Sequence, residues 1–116
     1  MLQRFIANAD DKTRVALLER LNSESLSEFK RVGNFVSHAG NLRLKEFSQR
    51  TLDRLIQKGD EYPFAATLLG KTASEEFAKS VLMVDLVAHP KHTWVEEALR
   101  IAGQRHNRRY LIPKAQ

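Results

Sequence analysis

Apolar residues recur along this chain every three to four positions, and short polar or glycine breaks separate the runs, which is the signature of successive amphipathic helices. Leu2, Phe5, Ile6 and Ala9 form a short lead-in. Asp10 or Asp11 can then cap a helix carrying Val15, Leu17, Leu18 and Leu21, which Asn22 and Ser23 break. Ser25-Leu26-Ser27-Glu28 matches a capping box, opening a helix with Leu26, Phe29, Val32, Val36 and Ala39 on one side before Gly40. Asn41 is placed to cap a third helix, whose stripe of Leu44, Phe47, Thr51, Leu55 and Ile56 leads to Gly59.

Asp60 starts the next segment. Pro63 is tolerated there because the first helical turn has no intrahelical N–H bond to lose, and Gly70 is the expected stop. Thr72-Ala73-Ser74-Glu75 matches a second capping box. The helix from Phe77 to Ala88 is apolar almost all round, so the pattern puts it at the centre of the molecule. His89-Pro90 separates it from a last helix with Trp94, Val95, Ala98, Leu99, Ile101 and Ala102 facing inward and Gly103 at its end.

No segment alternates strictly enough for a half-buried strand. The pattern predicts an all-α fold: about six short helices in a compact bundle or a short α-solenoid-like array of helix pairs, with a basic C-terminal tail. Caps twelve to nineteen residues apart give the solenoid rhythm, but no tetratricopeptide-like side-chain motif repeats. Residues 1–103 are expected to be a single helical domain with its lead-in helix. Residues 104–116 are the tail, docked in part through Leu111-Ile112-Pro113.

Composition narrows the class. At 116 residues the chain suits one domain, and 42% hydrophobic with 28% charged residues is ordinary for a globular protein. The lack of cysteine removes disulfides, thiolate metal sites and thiol nucleophiles. The longest apolar run, Val81 to Val84, is far short of the roughly twenty residues of a membrane helix, and Asp10-Asp11 interrupts any signal-like stretch. The expectation is a soluble, cytoplasmic protein with no membrane partner.

Charge is unevenly spread. Met1 to Glu97 holds fourteen basic and fourteen acidic residues, whereas Ala98 to Gln116 holds Arg100, Arg105, Arg108, Arg109 and Lys114 with no acid, so the net +5 is a C-terminal property. At about 100° per residue, Arg43, Arg50 and Arg54 also fall within about 40° of one another on the third helix. Lys30 and Arg31 lie on the helix before it.

The other constellations are weaker. Gly70-Lys71-Thr72 ends like a phosphate-binding loop, but Ala65 stands where that loop needs a glycine and no strand precedes it. A helix-turn-helix around Gly70 would set Glu76 and Lys79 at apolar positions and Glu75-Glu76 against phosphate. Asp85, His89, His92 and Glu96 have metal-ligand spacing, which Pro90 disrupts; a core hydrogen bond or ion pair to Asp85 from His89 or an arginine is the better reading. The serines at 23, 25, 27 and 74 fit caps, and the paired carboxylates sit at helix starts where the dipole favours them. No catalytic residue, metal or cofactor is assigned.

The reading these residues support is a small non-enzymatic binding protein that contacts nucleic acid or a nucleoprotein assembly through phosphates. Arg43, Arg50, Arg54, Arg100, Arg105, Arg108, Arg109 and Lys114 would supply the cations and Tyr110 a stacking ring. About five neutralised phosphates would give a logarithmic salt slope of roughly −4 to −5 on duplex DNA. The alternative is a protein-interaction module, an adaptor, inhibitor or homo-oligomer subunit, whose arginines meet an acidic protein surface.

Overall fold

The computed structural model describes residues 11–24, 26–37 and 47–110, and these residues form an all-α fold with no strand among them. The helices are α1 (Asp11–Glu24), α2 (Leu26–Val36), α3 (Gln49–Gln57), α4 (Ala65–Thr72), α5 and α6 (Thr93–His106). Helix α5 is continuous through three parts, Glu75–Phe77, a π-helical stretch Ala78–Leu82, and Met83–Ala88. A 3-10 turn, Gly59–Glu61, links α3 to α4.

Helices α4 and α6 make the most extensive pairing, and α5 also packs on α6. Leu68, Leu69, Leu82, Leu86, Val95 and Leu99 are almost wholly buried at this junction, each contributing about 1.5–3 kcal/mol of transfer free energy. The α1–α2 pair joins through an aromatic cluster. Phe29 meets Tyr62 and Phe64 edge-on at centroid distances of 5.3 and 5.7 Å. Such pairs contribute about 0.5–1.5 kcal/mol beyond area burial.

The expected centre was misplaced. Helix α5 buries Ala78, Leu82 and Leu86 but leaves Val84 and Val87 60% and 63% exposed, while the short α4 runs through the core with Ala65, Leu68, Leu69, Gly70 and Thr72 buried. Apolar composition says how much of a helix can be buried; the neighbours decide which sides are.

Two predicted boundaries also move, for one physical reason. Gly70 does not stop α4, which runs to Thr72, and no described glycine has positive φ. A Cβ at Gly70 would lie 2.6 Å from Ile101 Cβ and 3.0 Å from the Ala98 carbonyl oxygen. Its lack of a side chain allows α4 to cross α6 closely. Likewise α6 passes through Gly103 and ends in a Schellman turn, with Asn107 left-handed (φ 54°, ψ 44°) and Arg108 N–H donating to Gly103 O at 2.8 Å. Helix α3, by contrast, ends as expected: Gln57 is its last residue, Lys58 its C-cap, and Gly59 follows.

The caps are set from elsewhere. Ser48 Oγ accepts from Thr51 N–H at 3.2 Å to open α3. Glu19 of α1 reaches the same end: its carboxylate accepts the Ser48 N–H at 2.8 Å and the Thr51 hydroxyl. In the second predicted capping box the cap is Ser74, which accepts Phe77 N–H at 3.1 Å, while Thr72 Oγ1 bonds back to Leu68 O at 2.8 Å. Ser25, Gly40 and Asn41, with the lead-in at 2–9, lie outside the described residues.

Candidate functional site: the arginine groove along helix α6

Arg100 and Arg105 stand on α6; Arg108, Arg109 and Tyr110 follow in the segment that the Schellman turn folds back over Gly103. A Cβ at Gly103 would sit 2.7 Å from the Arg108 carbonyl oxygen, so glycine is what lets the returning chain close on the helix. Between the helix and this segment lies an open groove of about 850 Å³, with Arg100, Arg108 and Arg109 among its walls and Tyr110 and Leu99 beneath. That volume is in the range of ligand clefts.

The cations do not play equivalent parts. Arg105 Nη1 donates to the carbonyls of Gly70 and Ala73 at 2.8 and 2.9 Å. These are end-of-helix carbonyls of α4, and a guanidinium satisfies them better than water in a partly buried corner. His106 joins this clamp: Nε2 lies 3.0 Å from Ala73 O and Nδ1 lies 2.7 Å from the Tyr110 hydroxyl. A carbonyl only accepts, so Nε2 carries a proton, and Nδ1 shares a hydrogen bond with the Tyr110 hydroxyl.

Tyr110, expected as a stacking ring, is 9% exposed beneath the groove and meets His106 edge-on at 6.0 Å. Burial raises its hydroxyl above the ordinary 10.0 and the Glu75 carboxylate adds to that, against the opposing charges of Arg108 and Arg105.

Arg108 Nε donates to Glu75 at 3.0 Å across to α5. Arg100 forms a bidentate pair with Glu97, one turn back on α6, which raises the guanidinium above its ordinary range. Both pairs are solvent-exposed, with side-chain exposures of 43–59%. Such pairs contribute about 0–1 kcal/mol, so an incoming carboxylate or phosphate exchanges for Glu97 or Glu75 at little cost. Arg109 is exposed and has no ion-pair partner among the described residues. Glu96 and Glu97 also line the groove, so its field is mixed in sign.

The ridge on α3 is less uniform than its spacing suggests. Arg50 is exposed, but Arg54 is half-buried, with Nη1 donating to the Tyr62 hydroxyl at 3.3 Å and Nε enclosed without a partner. Arg43 and Lys114, with Leu111-Ile112-Pro113, lie outside the described residues.

At the other end of α6, Asp85 is bonded by His92 Nδ1 at 2.8 Å, in place of the expected His89. His89 stacks on His92 at 4.7 Å, and His92 on Trp94 at 4.5 Å. Trp94 Nε1–H donates to Ile56 O at 2.9 Å, tying the stack to the end of α3. No group of three or more possible metal ligands converges among the described residues. No described helix is long and apolar enough to cross a membrane.

Sequence reasoning missed the acids that oppose the tail. Glu75 is 33 residues from Arg108 in the chain, and only Glu97, three residues before Arg100, carried a local signal for pairing. No protein-family model matches this chain, and no curated protein or solved structure does so either.

Proposed function

We propose that this chain is a non-enzymatic helical interaction protein that takes an acidic segment of a partner protein into the groove along α6. The observation that carries this is the set of three arginines, Arg100, Arg108 and Arg109, on one open groove whose acidic neighbours are exposed and exchangeable. Arg105 and His106 stay on the carbonyls of α4 and hold the wall rigid.

Glu96 and Glu97 favour a peptide of moderate charge over the dense phosphates of a duplex, which present one charge per roughly 1.7 Å. Contact with nucleic acid or a nucleoprotein assembly is the second reading, supported by the net charge of +5 and by the exposed Arg109.

Fluorescence anisotropy tests the choice with a short labelled peptide rich in Asp and Glu, beside labelled duplex DNA and RNA. The peptide is expected to bind the wild type more tightly than either nucleic acid. Charge reversal at Arg109 and Arg100 together (R100E/R109E) should weaken it about tenfold or more. Tighter binding of nucleic acid favours the second reading. Indifference of the peptide to R100E/R109E overturns the groove.

A further inference from the structure

We propose that the groove along α6 selects an amphoteric segment, whose acidic residues meet Arg108 and Arg109 and whose lysine or arginine, about three residues away, meets Glu96 and Glu97. This choice of ligand rests on the groove being a peptide site and adds which peptides it takes. The groove is polarised along the helix. Thr93, Glu96 and Glu97 line it towards the start of α6, Arg100 follows, and Arg108 and Arg109 line it where the chain folds back over Gly103. From Glu96 to Gly103 the helix advances seven residues, roughly 10.5 Å at 1.5 Å per residue. An extended chain covers that distance in about three residues.

The unpaired charges carry the same polarity. Glu96 and Arg109 are both exposed, and neither side chain has an ion-pair partner among the described residues. Glu96 stands four residues before Arg100, close enough to pair along the helix surface, yet Arg100 bonds Glu97 instead. A ligand carboxylate that takes Arg100 therefore releases Glu97 beside Glu96. A wholly acidic segment would then lie against two uncompensated carboxylates, whereas a ligand cation at that end neutralises them. The exchange replaces one ion pair within α6 by pairs of both signs across the interface.

Long-range attraction gives the opposite expectation. At a net charge of +5, the protein as a whole favours whichever peptide is more negative. Tighter binding of a less negative peptide is thus a signature of the local arrangement.

Fluorescence anisotropy of the full chain tests this with labelled peptides that carry a cluster of Asp and Glu and, about three residues away on either side of it, one Ala, Lys or Glu. In the direction that fits, the Lys peptide should bind wild type about three- to tenfold more tightly than the Ala peptide. On Glu96→Lys the order should invert, with the Glu peptide tightest, and Glu96→Gln should reduce the advantage of lysine. Glu96 is exposed, so circular dichroism should show both variants folded as the wild type. A Lys peptide that binds wild type no more tightly than the Ala peptide in either direction overturns the selection. So does an advantage of lysine that persists in Glu96→Lys. The Ala peptide on R100E/R109E reads the groove separately: weakened binding there without a lysine effect leaves the peptide site standing and removes its polarity, whereas indifference removes both.

Discussion

Removing the Arg105 guanidinium leaves the carbonyls of Gly70 and Ala73 without a charged donor at a partly buried corner. Arg105→Ala is expected to destabilise the protein by about 1–3 kcal/mol, read as a lower urea midpoint at unchanged slope. Tyr110 contributes through pH. Its pKa is raised in the folded state, so the stability from keeping it neutral is complete below the ordinary 10.0 and is lost as pH climbs through the raised folded value. Urea midpoints measured from neutral pH to above 10.0 should fall with pH, and Tyr110→Phe should fall less. A local window of sequence could name these residues as cationic or aromatic, but not say that the cations' partners were carbonyls 32 and 35 residues away.

At the scale of elements, periodicity located the helices well and their ends poorly. Amphipathic spacing depends on neighbours three or four residues apart, and it found the segments that became α1 to α6. Glycine was read as a stop because of its freedom at positive φ, whereas the fold uses Gly70 and Gly103 for close approach. Gly70→Ala should gain local helix propensity yet lose stability by about 1–3 kcal/mol, because the new methyl group forces α4 and α6 apart. A thermal unfolding midpoint at or above that of the wild type would show that the crossing yields without cost. The same limit misled the reading of α5, whose apolar residues are real but face a neighbour on only one side.

For the whole molecule, the net +5 overstates the free charge on its surface. Arg105 is engaged in the fold, Arg54 is turned onto Tyr62, and Arg100 and Arg108 share carboxylates. If duplex DNA is bound at all through Arg100, Arg108 and Arg109, about three phosphates are neutralised and the logarithmic salt slope should be roughly −2 to −3. That is shallower than the −4 to −5 expected if five tail cations act, and a salt titration separates the two. A slope at the steeper value would mean that cations beyond the groove take part.

The sequence by itself determined the all-α class, the approximate helix order and a basic C-terminal end, because helical periodicity and net charge are properties of neighbouring residues and of sums. Tertiary structure decided the rest. It placed the short α4 at the centre, turned residues 107–110 back over Gly103, and set Glu75 against Arg108. These outcomes depend on which helices cross and how closely, and such distances between remote residues leave no trace in a local pattern. The basic tail of the sequence is, as far as Tyr110, one wall of a groove whose available cations are those with weak or no partners.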